Sequence, residues 1–333
     1  MSLLAKKVTL KDIAKQAGIS ASLASRALAN KYGVSQSVKD RVQLLAKEMG
    51  YDAGTVFSQK VLLMLDRETL FDSSFYGKIV SAADRRLIQN RLSLEIAVVQ
   101  QLYTPEEIDE LFLAKNPVGI IFLGKIEEQL ISEVGKKGLP IVLVDNYSYI
   151  GQQFDMVRTN NYCCGYDATE YIISVGHRKI AFVGDIACSV SFKERHRGFE
   201  DAVLANRAEG VYVGGLSAEA PYCFDIGRFT EIFSADQYPD AIVCANDPTA
   251  RFVINQLSSF GLSIPEKVSI IGCDNALPML ANGLTTMDVC TEEMGHSAVL
   301  LLLDRMQNPS KNSRYIQVGS KIIKRNSVYE FPR

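Results

Sequence analysis

The features this chain of 333 residues lacks are the first guide to what it is. Its seven cysteines (Cys163, Cys164, Cys188, Cys223, Cys244, Cys273 and Cys290) are odd in number and include no CxxC pair, which argues against a disulfide framework and against a zinc site. They read as small buried apolar residues rather than redox groups. No apolar run reaches the ~20 residues that cross a bilayer. The start, Met1-Ser-Leu-Leu-Ala-Lys-Lys7, has no long apolar stretch after its charges, so a cytoplasmic protein with no membrane attachment is expected. Phosphate-cradling glycine loops, nucleophile–base constellations and metal-ligand spacings are also missing. The expectation is therefore no enzyme activity, no catalytic residue, no metal and no cofactor.

Net charge is small, −2, but it is unevenly spread. Residues 1–60 hold ten Lys and Arg against four acids, so the remainder carries a deficit of eight. A basic head on an acidic body suits neutralisation of phosphates by a separate module. That head contains Val8-Thr-Leu-Lys-Asp-Ile-Ala-Lys-Gln-Ala-Gly-Ile-Ser-Ala-Ser-Leu-Ala-Ser-Arg26, which spells two short helices around a glycine turn. Thr9 and Asp12 have capping-box spacing, and Gly18 permits a sharp turn. Ser20 caps a second helix running to about Asn30, with Leu23, Ala24, Ala27 and Leu28 inward. Ala21, Ser22, Ser25, Arg26 and Ala29 then form the opposite face, the candidate surface for reading duplex DNA, supported by Thr9, Ser20, Lys31 and Ser35. Arg26, the only long donor on that face, is the expected guanine reader. Ser35 starts a third helix, whose Val38, Val42, Leu45 and Met49 close the small core.

From Val61 onward, short β-rich runs alternate with helical segments. The runs are Val61–Leu65, Leu94–Val99, Val118–Leu123, Ile141–Val144, Lys179–Val183, Val211–Val213, Ala241–Cys244 and Val268–Ile271. Continuously apolar strands, each followed by a helix, indicate parallel sheets covered on both faces. There are too many strands for one comfortable sheet, so two doubly wound lobes are expected. Ligands of such sheets sit beyond the carboxyl ends of the strands. That rule singles out Asp66, Asp145-Asn146, Asn246-Asp247 and Asp274-Asn275. Asp247 precedes Pro248 and reads as a helix cap. Arg195, in Glu194-Arg-His-Arg-Gly-Phe199, reads as lying at a helix start, where a cation is disfavoured without a partner. His177 reads as structural.

These segments resemble, nearly end to end, the lactose-repressor/galactose-repressor (LacI/GalR) family of transcription regulators. Beyond the head, the resemblance lies in Ala168-Thr-Glu-Tyr-Ile-Ile-Ser-Val-Gly-His-Arg-Lys-Ile-Ala-Phe182, Arg195-His-Arg-Gly-Phe199 and Pro239-Asp-Ala-Ile-Val-Cys-Ala-Asn-Asp247. It continues in Gly261-Leu-Ser-Ile-Pro-Glu-Lys-Val-Ser-Ile-Ile-Gly-Cys-Asp274, Leu284-Thr-Thr-Met287, Glu293-Met-Gly295 and Arg325-Asn-Ser327. It implies an all-α helix-turn-helix headpiece over 1–51, a hinge over 52–60, and an α/β core of two doubly wound lobes over 61–330, like periplasmic binding proteins of type I. The N-lobe would comprise about 61–159 and 291–315, and the C-lobe about 160–290 and 316–330. By position, the resemblance places Arg195, Asn246 and Asp274 against a small sugar-like effector, with Asp145 from the other lobe. Phe75, Tyr76 and Tyr222 fall where the family has pocket aromatics, although core filling accounts for them equally well.

The chain departs from the family pattern in three places. The hinge, Tyr51-Asp-Ala-Gly-Thr-Val-Phe-Ser-Gln-Lys60, is short and has Lys60 where a minor-groove leucine belongs. Val56 or Phe57 must then supply any wedge, and the expectation is that neither inserts and the operator stays nearly straight. Ala21 and Ser22 are small for base readers. Asn160-Asn-Tyr-Cys-Cys-Gly165 replaces the family's usual Asp-Asn and Gly-Gly pairs. The expected protein is a repressor that binds operator DNA as a homodimer and is controlled by an effector held between the lobes. The alternatives are a regulator of the same family whose co-effector is a protein or a non-sugar metabolite and, after it, a sugar-binding protein or enzyme that does not bind DNA.

Overall fold

The computed structural model describes residues 8–28, 34–49, 59–99, 104–147, 153–215, 224–235, 237–276 and 283–332. The chain divides into two compact units, residues 1–60 with 91–93 and the remainder. In the first, α1 (Leu10–Ala17), α2 (Ala21–Leu28) and α3 (Gln36–Glu48) follow from local chemistry. The Asp12 carboxylate accepts from the Thr9 amide at 2.8 Å while the Thr9 hydroxyl accepts from the Asp12 amide, closing the capping box. Gly18 ends α1 at φ 68°, in the left-handed region, and its N–H reaches the Ala14 and Lys15 carbonyls. The Ser20 hydroxyl accepts from the Leu23 amide at 3.1 Å. Ile13, Ala14, Ala17, Ala24, Ala27, Val34, Val42 and Ala46 form the core, with Leu23, Leu28, Val38, Leu45 and Met49 packed partly against it.

The second unit holds the two lobes. The N-lobe contains β1 (Lys60–Leu65), α4 (Arg67–Phe71), α5 (Tyr76–Gln89), β2 (Ser93–Val98), α6 (Pro105–Lys115), β3 (Pro117–Leu123), α7 (Glu128–Gly135), β4 (Ile141–Val144) and β5 (Asp155–Thr159). The C-lobe follows with α8 (Asn161–Ser174), β6 (Lys179–Val183), α9 (Val190–Ala205), β7 (Glu209–Val213), α10 (Ile226–Phe233), β8 (Ala241–Cys244), α11 (Asp247–Ser259), β9 (Ser269–Cys273) and β10 (Thr285–Asp288). The chain then returns through α12 (Thr291–Gln307) and β11 (Tyr315–Val318) to the first sheet, and through β12 (Lys321–Ile323) to the second.

Strand order is β11-β5-β4-β3-β1-β2 in the first sheet and β12-β10-β9-β8-β6-β7 in the second. β3, β4, β5 and β11 pair in parallel, as do β7, β6, β8, β9 and β10, while β12 closes antiparallel on β10. Both faces of the C-lobe sheet are covered, and the strands show it residue by residue. Ile180 and Phe182 of β6 face one core while Ala181 and Val183 face the other, and β8 divides in the same way. The central apolar runs were therefore correct indicators of two-faced burial, whereas the runs at 94–99 and 211–213 became edge strands that leave Ile96, Val98 and Tyr212 exposed.

One boundary shifts. β11 pairs with β5 from Tyr315↔Met156 to Val318↔Thr159, so the N-lobe extends to 318 rather than ending at 315. Strands β5, β10, β11 and β12 were not anticipated, because DMVRT, TTMD, YIQV and KII are short and mostly polar-interrupted. An ion pair fixes the return segment. Fully buried Asp155 accepts from Arg305 Nε at 2.9 Å and Nη2 at 3.0 Å, and from the Arg314 amide at 2.8 Å.

Candidate functional site

The strand ends where the two lobes meet are bent away from ordinary backbone. Asp145, directly after β4, has φ 50°; Asp274 and Asn275, directly after β9, have φ 102° and 49°. Such conformations in non-glycine residues cost about 1–3 kcal/mol each and persist where surrounding contacts over-determine them. Here those contacts are hydrogen bonds running from one lobe to the other. On the N-lobe side, the Tyr76 hydroxyl donates to Asp145 Oδ2 at 2.9 Å and the Tyr147 hydroxyl to Oδ1 at 3.3 Å. Asn161 then bridges the lobes, its amide nitrogen donating to the Tyr147 oxygen at 2.6 Å and its Oδ1 accepting from Arg195 Nε at 3.0 Å. The guanidinium finishes the chain at the Ala245 carbonyl, 2.6 Å, and Asp274 Oδ1, 2.8 Å. Lys78 makes a second crossing, donating to the Asn275 carbonyl at 2.7 Å.

Charge is distributed unequally along this chain. Burial opposes ionisation of Arg195, yet the Asp274 carboxylate beside it holds the guanidinium well above its ordinary range. Arg195 and Asp274 therefore form a buried, mutually neutralised pair. Among the described residues, no cation is in direct contact with Asp145. Burial pushes it up to about 6, against the lowering pull of the Tyr76 hydroxyl and of Arg195. Burial and the Asp145 charge raise both Tyr76 and Tyr147, so both phenols stay protonated and serve as donors.

The local sequence explains how Arg195 arrives there. Asn160 caps α8 by accepting from the Cys163 amide at 3.1 Å, and Ser189 caps α9 by accepting from the Phe192 amide at 3.2 Å. Arg195 thus lies in the second turn of α9, not at its start as the sequence reading had it. The helices α8 and α9 approach so closely that the Arg195 carbonyl occupies the space a side chain at Gly165 would need, and the Tyr162 carbonyl does the same at Gly198. The departure at 160–165 therefore preserves helix entry while making Asn161 the bridging amide.

Other predicted residues fall elsewhere. Asn246, not Asp247, caps α11, its Oδ1 accepting from the Thr249 amide at 2.9 Å and hydroxyl at 2.7 Å. Asp247 instead accepts from the Ala276 amide at 2.9 Å and the Thr286 hydroxyl at 2.7 Å, so it shapes the loop after Asp274. The Asp66 carboxylate caps α4, accepting from the Thr69 amide at 2.6 Å, a structural role where an effector contact was expected. Phe75 stacks edge-on against Tyr76 at 4.9 Å and packs against the C-lobe core. His177 is buried, with Nε2 3.2 Å from the Tyr329 carbonyl oxygen, as a structural histidine would be. Tyr222 lies outside the described residues. Tyr147 and Asn161 were missed; the strand-end rule reaches Tyr147, whereas Asn161 follows a strand the sequence did not reveal.

On α2, Ser22, Ser25 and Arg26 are exposed and Ala24 and Ala27 are buried. Ala21 departs from the expected pattern, because it packs partly against the headpiece core and does not stand fully on the outer face. Thr9 and Ser20 spend their hydroxyl acceptors on caps, and Ser35 is exposed at the entry to α3. Ala29, Lys31, Val56 and Phe57 lie outside the described residues. Among the described residues, no cluster of three or more His, Cys, Asp or Glu is arranged to hold a metal, and no helix is long and apolar enough to cross a membrane.

A capped helix-turn-helix unit, together with two doubly wound lobes joined at their strand ends by one polar hydrogen-bonded chain, points to the class of ligand-responsive DNA-binding regulators. Residues 9–53 match the bacterial regulatory proteins of the lacI family, and 169–328 match the periplasmic binding protein-like domain. The chain thus carries a lacI-family DNA-binding domain followed by a periplasmic binding protein-like domain, the arrangement of a DNA-binding transcription regulator. The HTH-type transcriptional repressor PurR of Serratia proteamaculans is 27% identical over 97% of this chain and 98% of its own. That of Histophilus somni is 25% identical over 96% and 98%. In fold, the lac repressor dimer bound to operator and the anti-inducer ONPF superposes with a TM-score of 0.67 at 20% identity, over 97% of this chain and 99% of that one. The CelR–cellobiose complex gives 0.67 at 23% identity, over 96% and 100%.

Proposed function

We propose that this regulator is a repressor that binds operator DNA as a homodimer and releases or engages it according to a small polyhydroxylated effector held between the lobes. The observation that carries this reading is the hydrogen-bonded chain from Tyr76 through Asp145, Tyr147, Asn161 and Arg195 to Asp274, which spans both lobes at their strand ends. Its carboxylates, amide and phenols suit vicinal hydroxyls. A ligand that replaces links in this chain binds one lobe arrangement better than another. That differential affinity is what shifts a conformational equilibrium. The solved relatives support a sugar, since their complexes contain cellobiose and, in a LacI family regulator from Enterococcus faecium, ribose. On the DNA side, Arg26 and Ser22 are the proposed base readers and Ser25 a neighbouring contact.

The test has two parts. Selection from a randomised duplex library followed by fluorescence anisotropy should enrich a two-fold symmetric site, and light scattering should give a dimer. A thermal-shift panel of pentoses, hexoses, disaccharides and nucleobases should then return a sugar that raises the melting temperature. A nucleobase hit alone would replace the sugar, and failure to enrich any duplex would overturn the operator reading.

A further inference from the structure

Cys164 and Cys273 meet in the core of the C-lobe, although 109 residues separate them in sequence. Their sulfurs lie 2.9 Å apart, while both residues are 3% exposed or less. Cys164 is the fourth residue of α8, and Cys273 is the last of β9, immediately before Asp274. A disulfide needs an S–S separation of about 2.05 Å, so bond formation requires less than ~1 Å of approach. We propose that these thiols form a reversible redox pair, oxidised by a peroxide to a disulfide that straps α8 to the end of β9 beside the Arg195–Asp274 clamp.

The two sulfurs are differentiated as such a reaction requires. The hydrogen bond from Cys273 lowers the Cys164 thiol against the opposing effect of burial, and the Arg195 charge lowers it further. The helix N-terminus acts in the same direction. Burial, together with the same hydrogen bond, raises Cys273, which therefore keeps its proton. Cys164 thiolate attacks one peroxide oxygen; the O–O bond breaks, hydroxide leaves, and a sulfenic acid forms. The Cys273 sulfur then attacks the sulfenic sulfur; the S–O bond breaks and water leaves with the Cys273 proton. Two electrons pass from the thiols to the peroxide, and a dithiol reductant reverses the change by exchange. Phe75 of the N-lobe packs against the apolar cluster that contains both cysteines. Any consequence for effector binding rests on the cleft reading above; the thiol chemistry does not.

The full-length reduced protein, treated with hydrogen peroxide, alkylated and digested without reductant, should yield a Cys164–Cys273 cross-linked peptide that dithiothreitol removes. The link should survive in Cys163→Ser and Cys290→Ser and vanish in Cys273→Ser. The oxidised wild type should melt higher than the reduced form, because the cross-link restricts the unfolded chain. Free, alkylated Cys164 and Cys273 after peroxide treatment, a link through other cysteines, or an unchanged melting temperature would overturn the proposal. The wild-type peptide map decides the matter even if Cys273→Ser fails to fold.

Discussion

The headpiece and the core are stabilised at opposite ranges. Headpiece structure comes from contacts three or four residues apart, such as Thr9 with Asp12 and Ser20 with Leu23, around a centre made largely of alanine. The core is held by contacts far apart in sequence, such as Tyr76 with Asp145, 69 residues away, and Arg195 with Asp274, 79 residues away. Short-range stabilisation yields a small unit that can change its reading face cheaply. Long-range polar stabilisation makes each residue of the chain depend on the others, so on the proposed function a ligand displacing one link is felt in both lobes.

The largest effect that would sharpen this contrast is expected at Arg195. Arg195→Ala strands the buried Asp274 carboxylate and frees the Asn161 and Ala245 oxygens, and removing one partner of such a pair costs about 3–5 kcal/mol. Denaturant unfolding of the core should show that loss; a change below about 1 kcal/mol would mean the pair is solvated. Arg26→Ala should leave core unfolding unchanged and weaken operator binding by about 1–3 kcal/mol, with relaxed preference at one base pair per half-site. Uniform weakening across sequences would make Arg26 a phosphate contact.

The same difference in range governs what the sequence disclosed. Capping boxes and helical periodicity lie within one turn, so α1 to α3 and the outward Ser22, Ser25 and Arg26 were legible. Apolar strands announced two-faced sheets, and Asp145 and Asp274 followed from their positions after strands. Asn161 did not, because its importance depends on Tyr147 and Arg195, 14 and 34 residues away. Asn246 and Asp247 were interchanged because both residue types cap helices well. The choice rests on Ala276 and Thr286, which occupy Asp247 from a distance that no local rule covers.

Two smaller effects probe each region separately. Gly18→Ala places a side chain at φ 68° and should cost the headpiece about 1–2 kcal/mol, read as loss of helical signal at lower denaturant while the core transition stays in place. Asp145→Asn should act through pH. With its acidity moved from an ordinary 3.8 to about 6, the folded core holds this proton more tightly than the unfolded chain does. The resulting stabilisation is complete below 3.8 and is lost as pH rises through about 6, so the wild-type melting temperature carries a fall between those values. Asp145→Asn should remove that component, and an unchanged profile would place the titration elsewhere.

The central claim is that occupancy of the cleft and DNA affinity are linked. Its most direct test is anisotropy of the selected duplex, titrated with protein at zero and at saturating concentrations of the effector found in the panel. The account predicts a change in affinity of about 5- to 150-fold in one direction, absent in an Arg195→Lys variant that folds but no longer binds the effector. Tight effector binding to the wild type with the DNA titration unmoved would contradict it.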